Sequence, residues 1–445
     1  MKKTFTVLIV ALMGLSMVFA GGQQEGASGE GSAEEEITIR VMFREVPSTT
    51  EGVTGIGDIW VRAFEQFEEE HPNVTIVNES ISDDTAYTDK LKADIAAGDP
   101  PNIFGFPGIA SIVEFAENGL ILDVSPYLEH DGEWRDGFVG GAVEMFELSD
   151  YGTPGTYSLP WALNPEPWYY NKNLFEQAGI TEEPETWPEF IEVIGQLREA
   201  GITPIGIGNR NTWRAGHIHT GILYKYAGVG AAVELGLRER SYTDDEIVET
   251  FRLLQVLNEN DAFQEGFNGT DYETEFSNFV SGEHAMMFNG VWALGRIIQE
   301  MGGAENVGAF VMPYFPDREQ YRYHDITYPS QLLVSGRLSE AEEEMTMELV
   351  QFLTGDTVAE WLANDAKSNP ARTGVDVDEE AVGPLWKEVT GFMEDFERTG
   401  HDTFAYDPLA AVEFYMKDQI AGMLGGQLTP EEAAANVQEF IETEE

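Results

Sequence analysis

Alternating hydrophobic and polar residues predict that strands and helices take turns from residue 37 onward. Residues 37–43 alternate with the period of a half-buried strand, whereas residues 59–69 place their apolar side chains on one face of a helix. The three strands and two helices of this opening are predicted over residues 37–43, 59–69, 74–77, 87–97 and 103–106. The order is β-α-β-α-β, with connections of the length that a parallel sheet requires.

Beyond this opening, the apolar periodicity is mainly helical. Two of the helix starts have capping signals, because Thr243 is followed by Glu246 and Thr429 precedes a proline at the first helical position. The predicted helices cover roughly residues 108–118, 172–178, 187–200, 244–258, 272–281, 292–301, 340–354, 356–364, 383–397, 409–424 and 430–443. Strands and helices in this proportion predict an α/β protein.

The first 36 residues differ from the rest in composition. Residues 1–20 combine two lysines, a short apolar run and small residues before Gly21, which is the pattern of a secretion signal. Residues 21–36 are rich in Gly, Gln, Ser, Ala and Glu, as in a flexible tether. The chain has no cysteine for a lipid anchor, so we expect a soluble secreted or periplasmic protein. The remaining length is enough for two lobes with their own cores.

Charge excludes one class of partner. The chain has 80 acidic and 25 basic residues, a net charge of −55, whereas nucleic-acid binding needs clustered Lys and Arg. The acidity is interpreted as adaptation to salty or alkaline surroundings, with a cation-attracting surface as the alternative. The absence of cysteine also excludes disulfides, thiol nucleophiles and thiolate metal sites.

Six segments occur in an order that is typical of one family. The most informative runs from Tyr157-Ser158-Leu159-Pro160 into residues 170–180. The set comprises residues 67–76, 87–103, 119–128, 157–190, 279–292 and 425–433. On these segments the chain resembles the extracellular sugar-binding proteins of ABC importers, the family that includes maltose-binding protein. It departs from the family at Asn102, where Asp is commoner, and in lacking the lipid-anchor cysteine.

The resemblance implies a fold and a function. The fold would be the type II periplasmic-binding-protein fold, with two α/β lobes, each a mainly parallel sheet flanked by helices, and a ligand cleft between them. The lobes would take residues 37–158 plus 314–365 and residues 159–313 plus 366–445. Hinge closure on a sugar or oligosaccharide would signal the loaded state to the permease subunits of an ABC transporter. We expect a monomer with no cofactor and no metal.

Two alternatives to sugar capture stay open. The first is the same fold with a non-sugar solute, such as a polyamine or a polyol phosphate. The second is a secreted carbohydrate-active enzyme. Stoichiometric binding without turnover would favour the binding proteins, and release of reducing ends from a polysaccharide would favour the enzyme.

Aromatic residues at strand ends are the leading candidates for ligand contacts. Ligands of open α/β sheets bind at the carboxyl ends of the strands, and a sugar needs flat rings against its C–H faces. The resemblance places stacking rings at Trp292, in a strand-to-helix turn, and at Trp213, with Phe106 on the first lobe. The alternatives are helix packing for the two tryptophans and a loop plug for Phe106.

Polar candidates occupy other strand ends and crossing segments. The carboxylates of Glu45, Asp83 and Asp84 follow the first two strands and could accept sugar hydroxyls, or they could be solvated loop charges. The resemblance implies a polar contact four residues after Pro160. The complete polar and crossing-segment set is Glu45, Asp83, Asp84, Trp161, Asn164, Asn209, Arg210, Tyr328, Gln331 and Arg372. For Arg372 a structural ion pair is the alternative.

Signatures of catalysis are missing from the sequence. It contains neither a Gly-x-Ser-x-Gly elbow nor a Walker-type phosphate loop, so the chain is predicted not to be an enzyme. Carboxylate pairs suited to glycoside hydrolysis carry little information among 80 acidic residues. His217 and His219 are interpreted as a surface or cleft-edge pair rather than zinc ligands, since no third ligand is evident nearby. The acidic run 376–380 lacks the glycine and the spacing of a calcium loop.

Overall fold

The computed structural model describes residues 36–49, 52–106 and 108–444, apart from the side chains of residues 84, 111 and 410. The predicted secretion signal and all of the predicted tether except residue 36 lie outside the described residues. The strands within them are β1 (Ile37–Met42), β2 (Val74–Asn78), β3 (Ile103–Phe104), β4 (Leu159–Pro165), β5 (Trp168–Asn171), β6 (Thr203–Ile205), β7 (His284–Phe288), β8 (Val307–Phe310), β9 (His324–Val334) and β10 (Arg398–Gly400).

Helices make up most of the remaining regular structure. In chain order they are α1 (Ile56–Glu70), α2 (Asp84–Ala97), α3 (Val113–Glu117), α4 (Ser125–His130), α5 (Gly132–Asp136), α6 (Lys172–Ala178), α7 (Trp187–Glu199), α8 (Trp213–Tyr226), α9 (Val229–Gly236), α10 (Asp245–Glu259), α11 (Tyr272–Val280), α12 (Leu294–Glu300), α13 (Glu340–Leu353), α14 (Asp356–Asn364), α15 (Glu379–Asp395), α16 (Ala410–Leu424) and α17 (Pro430–Glu444). Most of the predicted helices are confirmed, several with bounds that differ by a residue or two.

One long helix was not predicted from the sequence. Residues 214–225 of α8 are all buried, so the helix shows no polar face and therefore no amphipathic period. A helix that is surrounded by protein on every side cannot be recognised from alternation alone. The omission matters, because α8 carries several of the residues described below.

The first sheet has the predicted parallel opening. Its order is β10-β9-β3-β1-β2, and β4 pairs with β9 outside that path. β1 runs parallel to β2 and β3, and β10 runs parallel to β9. β3 and β4 both run antiparallel to β9, which re-enters the sheet from the other direction.

The second sheet corrects the prediction of two mainly parallel sheets. Its order is β6-β7-β5-β8, and only the β6–β7 pairing is parallel among the described strands. β5 runs antiparallel to both of its neighbours, β7 and β8. β5 enters this sheet directly from β4 of the first sheet and lies between β7 and β8, which both run opposite to it.

Each sheet separates two apolar cores. Successive side chains of a strand point to opposite faces, so Val41 and Met42 of β1 belong to different cores, as do Trp168 and Tyr169 of β5. Helices α1, α13 and α14 cover one face of the first sheet. Helices α8, α10, α16 and α17 form a layer over one face of the second sheet.

The chain passes between the sheets through short connections. β4 lies in the first sheet and β5 in the second, so the first crossing is the dipeptide Glu166-Pro167. The return crossing is residues 311–323, between β8 and β9. The predicted boundary between residues 158 and 159 falls before β4, whereas strand pairing places the crossing at residues 166–167. The ends of both sheets near these crossings form the candidate site.

Candidate functional site

Four aromatic side chains come together beside the crossings. Trp213 begins α8, Tyr272 begins α11, Trp292 lies in the 3-10 turn after β7, and Tyr328 lies in β9. The ring centroids of Trp213 and Tyr272 are 5.5 Å apart, and those of Trp292 and Tyr328 are 5.7 Å apart. The ring of His217 lies between the two pairs, 5.0 Å from Trp213 and 5.9 Å from Tyr328. All four rings are half-buried, so they form an accessible apolar wall.

The turn after β7 explains how Trp292 reaches this wall. A Cβ atom at Gly290 would lie 2.0 Å from Cζ3 of the Trp292 ring, so the ring occupies space that only a glycine leaves. Asn289 is fully buried and donates its side-chain N–H to the Tyr272 hydroxyl at 3.0 Å. The Asn-Gly sequence therefore both folds the turn and ties Trp292 to Tyr272.

A buried ion pair lies against the aromatic wall. The Arg214 guanidinium donates to both carboxylate oxygens of Glu275, at 2.9 and 2.6 Å, and it also donates to the carbonyl of Phe288. The Cζ atom of Arg214 lies 4.6 Å from the Trp213 ring centroid and 5.6 Å from that of Tyr272. Both partners are almost fully buried. This geometry combines a bidentate ion pair with cation–π contacts that hold the two rings in place.

His217 is held between two carboxylates. Its Nδ1 lies 2.8 Å from an oxygen of Glu166, and its Nε2 lies 3.4 Å from an oxygen of Asp402. Burial alone would lower the pKa of His217, but the two carboxylates outweigh it and raise the pKa to about 9. The imidazole is therefore charged at neutral pH.

The charged groups continue into α16. Lys417 lies 3.7 Å from Asp402 and 2.6 Å from Glu413, and Thr220 donates its hydroxyl to Asp402 at 3.1 Å. Burial would raise the pKa of Asp402, but Lys417 and His217 hold it well below its usual range. The result is an alternating chain of negative and positive groups beneath the aromatic wall.

Two polar side chains near Tyr328 keep free hydrogen-bonding atoms. His401 is 1% exposed with its ring 4.6 Å from that of Tyr328, and neither ring nitrogen has a partner among the described residues. Burial lowers the pKa of His401 to about 3, so the ring is neutral. Asn164 donates to the Tyr328 carbonyl at 3.0 Å, whereas its Oδ1 has no described partner. Such atoms can take part in ligand or water hydrogen bonds.

Several predicted residues meet here. Trp213, Trp292 and Tyr328 belong to the aromatic wall, and Asn164 bonds the backbone of Tyr328. Burial chiefly raises the pKa of Tyr328, Arg44 lowers it, and Glu413, Asp402 and the half-buried Glu45 add smaller electrostatic increases, so Arg44 and Glu45 both lie within electrostatic range of that ring.

Other predicted residues have structural contacts on the first sheet. Trp161 is a core residue, 4% exposed, and its ring packs edge-on against that of Trp60 with the centroids 5.0 Å apart. Phe106 packs edge-on against Phe115 at 5.1 Å, in line with the loop-plug alternative. Gln331 is buried and donates to the carbonyls of Phe106 and Gly108. These contacts give Trp161 and Gln331 structural roles, and their ligand contacts stay predictions.

The remaining predicted residues also have local partners. Asp83 caps α2 by accepting from the backbone N–H of Ala86 at 2.8 Å, and the side chain of Asp84 lies outside the described atoms. Asn209 is buried and donates to Asn268, and Arg210 is exposed and paired with Asp271 at 3.1 Å. Arg372 pairs with Asp356 at 2.7 Å, which is the structural alternative considered for it.

Sequence reasoning missed much of the charged site. The interpretation of His217 and His219 as a surface pair is wrong, because both are buried in α8, although the His217 ring lies against the aromatic wall. Two residues apart on a helix, they face different directions, and His219 contacts Thr250 in the second-sheet core at 2.9 Å. Glu166, Asp402, Lys417 and Tyr272 carried no motif that could have identified them. Only Arg214, next to the predicted Trp213, was within reach of the sequence argument.

The described residues contain neither a helix that could cross a membrane nor a cluster that could hold a metal ion. Within the described part of the chain, none of the helices has the length and apolar character that a membrane crossing requires. Over the same residues, no group of three or more His, Asp or Glu side chains is arranged to hold a metal ion.

Comparison with known proteins identifies the family. Residues 51–360, more than half of the chain, match the family described as bacterial extracellular solute-binding protein. The chain belongs to that family. This solute-binding protein is 23% identical to the multiple sugar-binding protein of Streptococcus mutans over 316 residues, which cover 68% of this chain and 69% of that protein.

Further relatives of the solute-binding protein match over different spans. A probable sugar-binding periplasmic protein of Rhizobium meliloti is 23% identical over 365 residues, 79% of this chain and 82% of that protein. Some curated relatives are matched over only about half of their length. The erythritol/L-threitol-binding protein of Mycolicibacterium smegmatis, for example, is 25% identical over 234 residues, 50% of this chain and 48% of that protein.

Solved structures share the fold of the solute-binding protein. A chitin oligosaccharide binding protein superposes with a TM-score of 0.81 at 25% identity, covering 91% of this chain and 98% of that one. A protein from a study of xylan utilization by Caldanaerobius polysaccharolyticus gives 0.80 at 23% identity, covering 91% and 100%. The predicted two-lobed α/β fold of periplasmic binding proteins is thereby confirmed.

Proposed function

We propose that this protein is the extracytoplasmic substrate-binding component of an ABC transporter, and that it captures a sugar or oligosaccharide by hinge closure for delivery to the permease subunits. The observation that carries the proposal is the wall formed by Trp213, Tyr272, Trp292 and Tyr328 at the facing ends of the two sheets. Aromatic rings bind the apolar C–H faces of sugars, and a site shared by two lobes stabilises the closed state when ligand bridges them.

Polar atoms beside the wall suit hydroxyl groups. The neutral imidazole of His401 offers one donor and one acceptor, and Oδ1 of Asn164 offers an acceptor. A sugar ring presents alternating hydroxyl donors and acceptors that can pair with such a set. The stacking rings would supply most of the binding free energy, and these polar atoms would supply orientation.

The charges of the site favour an uncharged ligand over a polyol phosphate. An sn-glycerol-3-phosphate-binding protein of Brucella abortus is a relative, 28% identical over 246 residues. A phosphate needs a cation that is available to it, whereas His217 and Lys417 each face carboxylates and Arg214 is paired with Glu275, with Nη1, its one nitrogen without a partner among the described residues, buried. The polyamine alternative places its cation among these same carboxylates and is tested directly below.

The proposal includes the export of the protein, the closure of its lobes, its monomeric state and binding without turnover. The matched family is extracellular and contains periplasmic relatives, in agreement with export and removal of residues 1–20. Two α/β lobes divided near residues 166 and 311–323 would close as rigid bodies around those crossings. We propose that the protein acts as a monomer and binds without turnover, as its relatives are binding proteins.

A thermal-shift screen tests the proposal. The chain from Gly21 is heated with chitobiose, xylobiose, maltose, raffinose and galactose, with putrescine, spermidine and glycerol 3-phosphate as the comparison set. A ligand at a hundred times its dissociation constant stabilises the fold by about 2.7 kcal/mol, a shift that is readily seen. We expect a sugar to stabilise the protein and the comparison set to have no effect.

The site itself is tested by a matched pair of variants. Trp292→Ala should abolish the shift with the stabilising sugar, whereas Trp361→Ala should retain it, since Trp361 lies on α14 against Arg62, away from the wall. A shift with spermidine alone would reject the sugar assignment. Release of reducing ends from any of the sugars would reject the non-enzymatic role.

A further inference from the structure

His217 is the point where three separate parts of the chain meet. The residue itself lies on α8, in the layer over the second sheet. Glu166, on its Nδ1 side, is one of the two residues that cross between the sheets. Asp402, on its Nε2 side, follows β10, which pairs with β9 of the first sheet. One imidazole on the helical layer therefore contacts both the crossing at Glu166 and the segment after β10 at Asp402.

The geometry requires a particular protonation state. A neutral imidazole has one N–H and one bare nitrogen, and a bare nitrogen facing a carboxylate would be repelled. Glu166 lies within hydrogen-bond distance of Nδ1, and Asp402 lies 3.4 Å from Nε2 as an ion-pair contact, so only an imidazolium avoids placing a bare nitrogen against a carboxylate. The ring is 4% exposed, and water does not screen these contacts as it would at the surface.

Other titratable groups face the same ring. Tyr328 presents its ring face from β9, and His401 lies on the segment that carries Asp402. Lys417 approaches Asp402 from α16 and neutralises part of its charge. No group among these can replace the His217 proton at Glu166, because Lys417 pairs with Asp402 and Glu413 instead.

We propose that His217 is a positioning residue: as an imidazolium it fastens the inter-sheet crossing at Glu166 and the segment at Asp402 to helix α8, and so fixes the aromatic wall in its binding arrangement. Loss of the proton would leave His217 with one N–H, so one of the two buried carboxylates would face a bare ring nitrogen and be repelled by it. The ring between Tyr328 and Trp213 would then be held from one side only, and either the crossing or the segment after β10 would be released from α8. The effect on ligand affinity rests on the proposed sugar-binding function, whereas the fastening itself does not.

If His217 has this role, folding stability and ligand affinity should both decline as the pH becomes alkaline. The folded-state pKa of His217 is raised from 6.5 to about 9, so its contribution is fully present below pH 6.5 and is lost as pH rises through 9. Over that window the folded-to-unfolded ratio should fall on the order of a hundredfold from this residue alone. Sugar affinity should fall about tenfold between pH 8 and pH 10, as the charged form is depleted.

A ligand-free experiment decides the fastening. The ¹⁵N resonances of the His217 ring, assigned in the wild type through their connection to the backbone resonances of the residue, should both show protonated nitrogens at pH 7 and titrate near pH 9. Glu166→Gln should move that titration toward the usual histidine range. A neutral His217 ring at pH 7, or a titration unmoved by Glu166→Gln, would overturn the proposal even if His217→Gln failed to fold.

Unfolding and binding then test the consequence. The stability advantage of the wild type over His217→Gln should be largest below pH 6.5 and vanish above pH 9. The control His219→Gln, on the same helix but in contact with Thr250, should keep the wild-type alkaline profile. With the sugar that stabilises the wild type, affinity should decline above pH 8 in the wild type and stay flat in His217→Gln.

The outcomes separate the two proposals. If none of the five sugars binds, the sugar assignment fails while the nitrogen titration still measures the state of His217. If a sugar binds with the same alkaline profile in the wild type and in His217→Gln, the positioning role is wrong and the sugar assignment stands.

Discussion

The ion pairs of two regions of the molecule differ in how far their side chains are exposed to water. Beside the first sheet, Arg40, Glu79 and Lys90 pair at the surface, with side chains that are 21–34% exposed. Over the second sheet, Arg214 and Glu275 pair at 2% and 0% exposure. The ion pairs around β1, β2 and α2 thus lie at the surface, whereas α8 carries enclosed pairs next to the aromatic wall and next to β9, where Asp325 and Lys225 pair at 2% and 1% exposure.

This difference shows where the structure is organised for binding rather than for stability alone. Exposed ion pairs contribute little, since water competes for both partners. Buried ion pairs are costly to desolvate and are destabilising when one partner is removed. Charges enclosed over the second sheet therefore mark a region in which fixed side-chain positions outweigh the cost of burying them.

The largest expected effect comes from breaking a buried pair. Arg214→Ala should lower the free energy of unfolding by about 3–5 kcal/mol, because Glu275 would remain as an uncompensated buried charge. Urea denaturation followed by tryptophan fluorescence measures the loss. The double variant Arg214→Met with Glu275→Leu should recover most of it, and a double variant as unstable as the single one would contradict the explanation.

Lowering the pH should destabilise the second-sheet core, because a buried neutral histidine lies in it. Burial lowers the pKa of His219 to about 3, so its contribution is present above pH 6.5 and is lost as pH falls toward 3. Between pH 6.5 and pH 5 the wild type should lose about 2 kcal/mol relative to His219→Gln. Parallel stability curves for the two proteins over this interval would show that the ring accepts a proton without penalty.

A smaller effect is expected at the first-sheet side of the wall. Tyr328→Ala should weaken binding of the stabilising sugar about tenfold, equivalent to about 1.4 kcal/mol, by removing a ring that touches Trp292 and His401. Tyr328→Phe should keep most of the affinity, because the ring face remains. Isothermal titration measures both, with the exposed Tyr323→Ala as the control. Equal losses in the Phe and Ala variants would assign the contact to the hydroxyl instead.

The smallest effect should come from the surface pairs of the first sheet. Arg40→Ala should cost about 0.5–1 kcal/mol in low salt and less in 1 M NaCl, because its partners Glu79 and Asp99 stay in contact with water. Urea denaturation at two salt concentrations makes the comparison. A loss as large as that of Arg214→Ala would remove the contrast between the two regions.

Much of the fold was predictable because its elements carry local signals. β1, β2 and β3 with the helices between them follow strand and helix periods, and α7 and α13 begin with capping boxes. The orientation of β5 was not predictable, since it depends on which strands meet after a two-residue crossing. α8 was missed for the opposite reason: its complete burial erases the polar face that makes a helix visible in a sequence.

Site residues were predictable only where the residue type and its position in the sequence already indicate a ligand contact. Trp213 starts a helix and Trp292 lies in a strand-to-helix turn, and such positions were identifiable, whereas Tyr328 lies inside β9 and was a candidate only as a crossing-segment residue. His217, Glu166 and Asp402 acquire their role from contacts between residues far apart in sequence, which periodicity cannot report. Asp83 and Arg372 show the converse, because a helix cap and an ion pair satisfy them locally.

The turn at Gly290 has a consequence for how ligand preference can diverge. Any side chain at this position would collide with the neighbouring indole, so position 290 is restricted to one amino acid for as long as that ring is present. Position 292 carries no such restriction on the backbone, and a smaller or differently shaped ring can be exchanged there without refolding the turn. Selection can therefore retune what the cleft accepts by changing one codon, while the adjacent codon stays constant.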